Sequence, residues 1–98
     1  MTHYFRLEES PYYPGKYVIA LNHDKFPFQK GFVGSFSVLP ARLLGLSYAT
    51  YLRYCRDRLG ADLRGKGHMY VIPYFNRSEE LMQLIKLLDK RAELYING

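Results

Sequence analysis

Ninety-eight residues carrying a net charge of +5, with 48% apolar and 23% charged side chains, describe one globular domain over 1–98 and exclude a disordered or fibrous chain. A single cysteine, Cys55, excludes an intrachain disulfide and fits a reducing, cytoplasmic setting. No apolar run approaches a membrane span, and MTHYFRLEE lacks the basic start and apolar run of a signal peptide, so neither a membrane anchor nor secretion is expected.

Tyr4 to Glu8 alternates, placing Phe5 and Leu7 on one face of a half-buried strand. Pro14-Gly15 marks a turn, and Tyr17 to Leu21 (YVIAL) is apolar on both faces, as a central strand would be. The two runs form an antiparallel hairpin. Between Asn22 and Ser37, Pro27, Gly31 and Gly34 break any long element, while Phe26, Phe28, Phe32 and Phe36 argue against a floppy linker. This segment is either an ordered loop that drops rings into the core edge or an exposed aromatic platform over 26–36.

Leu39-Pro40 opens a short helix that stops at Gly45, with Pro40 where a missing N–H costs nothing. Ser47 caps a second helix from Tyr48 to about Leu59, and Gly60 ends it. Ala61 to His68 reads as a turn. Met69 to Phe75 reads as a third strand, kept to an edge by Pro73. The last helix, 78–96, is capped by Ser78 or Asn76, and Glu79 and Glu80 suit its positive end. Its stripe is Leu81, Leu84, Ile85, Leu88, Ala92 and Tyr95, widened by Met82, Leu87, Leu94 and Ile96. Such width fits either a deeply sunk helix or a homodimer seam. The expected fold is α+β: a three-stranded antiparallel sheet, Tyr17–Leu21 central, packed with the helix pair and the long C-terminal helix.

The chemistry concentrates in ARLLGLSYATYLRY, residues 41–54. Ala41 is small enough for two helices to cross, Gly45 tolerates a positive φ, Leu46 plugs the space between the helices, and Ser47 caps the second. Residues 1–36 hold four basic and three acidic groups, residues 41–68 six and two, and residues 77–98 four and four, so the positive excess lies around this run. It is either ordinary solvated charge or a face for phosphates. Ala41, Gly45, Leu46, Ser47, Tyr48, Thr50 and Arg53 resemble the recognition unit of the lac repressor family, a helix-turn-helix. By that resemblance Ser47, Tyr48, Ala49, Arg53 and Arg56 face the DNA groove, Arg53 reading guanine or gripping phosphate.

Two registers of the second helix remain open. Family spacing buries Tyr51 and Tyr54 and leaves Leu52 outside. Simple amphipathicity buries Tyr48, Leu52, Cys55 and Leu59 and turns Thr50, Arg53 and Asp57, and with them Tyr54, to water. The strand reached through RGKGH resembles the wing of a winged helix-turn-helix protein, which makes Arg64 and Lys66 backbone contacts. A wing has two paired strands after the recognition helix, and the residues supply one. The chain also resembles short reading frames of bacterial mobile elements, which implies no function.

Other chemistry finds little material. His3, His23 and His68 are scattered and Cys55 has no partner at ligand spacing, so no metal or cofactor is expected. No Ser-His-Asp or Cys-His arrangement nominates a reaction, so no catalytic residue is assigned. The reading is a non-enzymatic DNA-binding protein whose candidate contacts are Ser47, Tyr48, Thr50, Arg53, Arg56, Arg64 and Lys66. The alternative is a protein-interaction module, an accessory or inhibitor protein, using the aromatic loop 26–36 and the apolar C-terminal helix.

Overall fold

Phe5–Glu9 (β1) and Tyr17–Leu21 (β2) form an antiparallel hairpin in register from Phe5 opposite Leu21 to Glu9 opposite Tyr17. The computed structural model describes residues 3–22, 24–26, 36–65 and 71–98. Gly15, at φ +79°, lets the connecting turn close. Ser10, itself buried, braces that turn: its hydroxyl accepts from the N–H groups of Tyr12 and Tyr13. Phe26 is buried, as a ring dropped into the core edge should be, and stacks on Tyr95 at 6.2 Å. The expectations for 27–35, including Phe28 and Phe32, lie outside the described residues.

A 3-10 turn, Phe36–Val38, leads into α1, Leu39–Leu43, with Pro40 in its first turn. Gly45 (φ +71°) closes α1 as a left-handed cap. The Gly45 N–H donates to the Arg42 carbonyl at 3.1 Å and the Leu46 N–H to the Ala41 carbonyl at 2.9 Å, the paired bonds of a Schellman cap. α2 runs Tyr48–Leu59 and stops at Gly60 (φ +66°). α3 runs Glu79–Asn97, and Ser78 rather than Asn76 caps it, accepting from the Leu81 N–H at 3.1 Å.

The expected three-stranded sheet does not form. Among the described residues two two-stranded sheets are present instead. Asp62–Arg64 (β3), in the segment read as a turn, pairs antiparallel with Ile72–Tyr74 (β4), from Asp62 opposite Tyr74 to Arg64 opposite Ile72. β3 is three residues long, polar at both ends and close to Gly60 and Gly65, so it carries no alternation long enough to read. Nor is Tyr17–Leu21 a central strand: its first four residues are only half-buried. What survives of the expected pairing is one bridge, with Tyr17 and Phe75 exchanging N–H···O bonds of 2.8 and 2.7 Å. Pro73, opposite Leu63 in β4, has no N–H to extend the pairing.

The core lies between α1, α2 and α3 and the β1 side of the hairpin, around Leu39, Tyr51, Cys55, Phe75, Leu81 and Leu88. Leu81, Leu84, Ile85, Leu88 and Ala92 form the buried stripe of α3. Tyr95 does not complete it and stands exposed, as do Leu87 and Leu94, the last at 60%. A charged residue occupies the stripe instead: Asp89 is 2% exposed. Its Oδ1 accepts from the Tyr4 N–H at 2.9 Å and the Phe5 N–H at 3.0 Å, and its Oδ2 lies 3.5 Å from Nδ1 of His3. One turn on, the Tyr4 hydroxyl donates to the Glu93 carboxylate. The buried carboxylate is thus tied to the backbone where β1 begins, which offsets its desolvation.

Asp89→Ala leaves two buried N–H groups without their acceptor. It should cost about 2–4 kcal/mol in urea unfolding. Leu94→Ala, on the exposed face of the same helix, should cost under about 0.5 kcal/mol. Equal effects would contradict the assignment.

Candidate nucleic-acid interface

α2 begins with a polar chain of three side chains. The Ser47 Oγ accepts from the Thr50 N–H at 3.2 Å and lies 2.9 Å from the Thr50 hydroxyl, which accepts from Nη2 of Arg53 at 3.3 Å. The spacing i, i+3, i+6 places the three along one side of the helix, so the cap also holds the Arg53 guanidinium over the first two turns. Ala49, Arg53, Tyr54, Arg56, Asp57 and Arg58 are exposed. The first turn of α2 holds no acidic side chain, so the free N–H groups there keep their partial positive charge.

Arg56 is less free than its place on this face suggests. Its Nε donates to Asp57 Oδ1 at 2.8 Å and its Nη2 to Oδ2 at 3.3 Å. These bonds raise the guanidinium pKa further and hold the Asp57 carboxyl below the usual carboxylate range. A phosphate approaching Arg56 therefore meets a guanidinium whose Nε edge is already engaged by a carboxylate.

Neither expected register of α2 is realised whole. Tyr51 is 1% exposed, and Cys55 and Leu59 are buried beneath it in steps of four. Tyr54, placed inside by family spacing, is 39% exposed. Tyr48 and Leu52, placed inside by amphipathicity, are half-buried against the core. The Tyr48 hydroxyl donates to the Val71 carbonyl at 2.6 Å, and its ring stacks near Tyr51 at 6.1 Å. Tyr48 therefore joins α2 to the segment before β4, its hydroxyl already committed. Leu46 does not plug the helix crossing: it is 36% exposed. A first helix of five residues leaves little space to plug, and Leu39, Ala41 and Leu43 already bury that side.

The remaining candidate contacts lie elsewhere. Arg64 does not join the Ser47–Thr50–Arg53 chain; its guanidinium lies over the Tyr13 ring, 5.0 Å from the centroid. Lys66 lies outside the described residues. Around Arg64 stands a group that sequence reasoning missed. Tyr13 packs edge-on against buried Tyr74 at 4.8 Å, and Lys16 Nζ reaches Asp62 Oδ2 at 3.1 Å and Asn76 Oδ1 at 2.9 Å. The only signal was tyrosines beside a Pro-Gly turn, which also serves an ordinary hairpin.

Among the described residues no three His, Cys, Asp or Glu side chains are grouped to hold a metal ion, and no helix is long and apolar enough to cross a membrane. No family model matches the chain, and no curated protein or solved structure matches it.

Burial pushes the Cys55 thiol from the ordinary 9.0 up to about 11. Burial first, then the Cys55 charge, pushes the Tyr48 phenol from 10.0 to about 12, and Tyr51 is raised as well. A raised pKa keeps the proton on the folded chain after the unfolded chain has released it. The unfolded state then binds fewer protons, and stability falls as pH rises. Urea midpoints should hold steady up to pH 9 and fall progressively from there toward pH 12. In Cys55→Ala the fall should begin later, near pH 10, where the tyrosines start to contribute. A midpoint that stays level through that window would contradict these burials.

Proposed function

We propose that this protein is a small non-enzymatic DNA-binding module that presents α2 to a duplex, with the β3–β4 hairpin beside it. The observation that carries the reading is the order and dress of the elements. A short α1 ends in a glycine cap. α2 follows with a cap that aligns Ser47, Thr50 and Arg53, and β3 and β4 then pair as two strands directly after it. That order resembles a recognition helix followed by a wing, and the buried Tyr51, Cys55, Leu59 stripe leaves the opposite face of α2 open to a groove.

In this reading the N–H groups of the first turn and Arg53 meet phosphates or base edges. Arg56 exchanges Asp57 for a phosphate oxygen. Tyr48 positions α2 through Val71 and does not reach for a base. Arg64 stands on the hairpin as a backbone contact. Affinity built this way is dominated by phosphate neutralisation and falls steeply with salt.

Binding of a fluorescent blunt-ended duplex, followed by anisotropy across salt concentrations, tests this. Arg53→Ala with Arg56→Ala should weaken binding and lower the salt slope by about 2, one for each lost phosphate contact. Asp57→Ala, which releases Arg56, should tighten it. Absence of salt-dependent duplex binding, or a double variant indistinguishable from the parent with an unchanged melting curve, would overturn the reading.

A further inference from the structure

β2 pairs along one edge with β1 and touches β4 along the other at a single residue. The bonds at the two ends of the hairpin set which backbone groups face which edge. The Asn22 N–H donates to the Tyr4 carbonyl at 2.8 Å, and the Ser10 N–H to the Lys16 carbonyl at 2.8 Å. Bonded positions alternate along an antiparallel pair, so Ala20 and Val18 bond Arg6 and Glu8. The N–H and C=O groups of Tyr17, Ile19 and Leu21 therefore point to the far edge. Two contacts agree with this parity. Tyr17 exchanges both its bonds with Phe75, and the Phe5 N–H leaves β1 on its own far side to reach Asp89.

The pairing with β4 stops after that bridge. Continued in register, it would set Ile19 opposite Pro73, which has no N–H to give the Ile19 carbonyl. Among the described residues nothing bonds the Ile19 N–H, the Ile19 carbonyl or the Leu21 N–H. The Leu21 carbonyl is already covered, since Nη1 of Arg6 donates to it at 3.1 Å. Beside these groups the surface is open. A groove of about 230 Å³ has Ile19, Ala20 and Leu21 on one side and Ser37 and Pro40, at the entry to α1, on the other. A recess of about 40 Å³ extends it toward Pro73 and Phe75, with Ile19, Ser37 and Pro40 common to both. Arg6 and Glu8, paired at 3.2 Å, border the groove from the opposite face of the hairpin.

We infer that this edge of β2 receives an extended segment of a protein partner, which adds as a third strand antiparallel to β2. The free groups are backbone donors and an acceptor at strand spacing. An extended chain matches them; a helix, whose backbone groups bond internally, does not. The edge is also continuous with pairing the protein already makes, so the new strand ends where the Tyr17–Phe75 bridge begins. The lining says which segment fits. Ile19 and Pro40 call for a β-branched apolar residue opposite Ile19. Arg6 and Glu8 cancel in charge, so the residues on either side of it are polar and uncharged. A second copy fits less well. Two β2 edges paired about Ile19 would set Leu21 opposite Tyr17, whose groups are committed to Phe75. The site shares no residue with the α2 face and does not rest on the DNA-binding reading.

The test uses the full-length protein and a capped seven-residue peptide of alternating threonine and valine. The same peptide, N-methylated at its valines, is the control, because it lacks the donors of the pairing edge. The first peptide should shift the Ile19 and Leu21 amides and slow their exchange with solvent, and the control should do neither. Ile19→Pro removes the outward N–H without touching a bond to β1, and should weaken peptide binding roughly five- to tenfold, the worth of one hydrogen bond. Ser37→Phe fills the groove from its other wall and should abolish binding, a reading that stands if Ile19→Pro does not fold. Neither change should alter duplex affinity. No shift at Ile19 and Leu21 with the peptide in millimolar excess would overturn the proposal. So would equal binding of the N-methylated peptide, shifts centred on α2 or α3, or self-association that protects the same two amides without peptide.

Discussion

One carboxylate holds the two halves of this fold together. Asp89 sits in the middle of the apolar stripe of α3, and the backbone of the N-terminal segment hangs on it through the Tyr4 and Phe5 N–H groups. A buried charge is costly unless it is fully engaged, and replacing it by an apolar residue would leave those N–H groups unmet. The bond therefore dictates more than its own energy. It sets where β1 begins, and so the depth of Phe5 in the core. The hairpin that follows presents Tyr17 to Phe75, and that bridge ties it to the residue after β4. β3–β4 is attached to α2 separately, through the Tyr48 hydroxyl and the Val71 carbonyl.

The cations divide by their local partners more than by their number. Arg53 is held along α2 by Thr50, Arg56 is tied to Asp57, and Lys16 to Asp62 and Asn76. Exposed pairs such as Arg56–Asp57 contribute little to stability, since water screens them. Their consequence is to decide which cation an incoming anion can take without competition. By that measure Arg64, which makes no ion pair among the described residues, is freer than Arg56, while Arg53 also feels the Asp57 carboxylate.

Much of the local structure was legible because single residue types carry it. Gly45 and Gly60 adopt the positive φ that a helix end requires, Ser47 and Ser78 accept from the N–H three residues on, and Pro40 sits where no donor is needed. Leu81 through Ala92 announced the buried face of α3 by spacing alone. What escaped depends on partners distant in the chain. Asp89 carries no signal of its own in the sequence, because the Tyr4 and Phe5 N–H groups that need its oxygen lie more than eighty residues away. β3 is too short to show alternation and exists because β4 returns beside it. The split register of α2 has the same origin: Val71 draws Tyr48 to the helix margin, which leaves Tyr51 to fill the core and Tyr54 to face water. The group around Arg64 joins three segments, and no one of them carries its pattern.

If the Asp89 carboxylate is what secures the N-terminal half, its two donors should be among the best-protected amides near either end of the chain. Native-state hydrogen exchange at Tyr4 and Phe5 measures this directly. Both should exchange only with global unfolding, at the same free energy as the Leu88 amide in the middle of α3, and Asp89→Ala, which removes the shared Oδ1 acceptor, should bring both down together. Exchange at the rate of a fraying terminus, with α3 still protected, would show that the carboxylate is a passenger and that the hairpin is held by its rings alone.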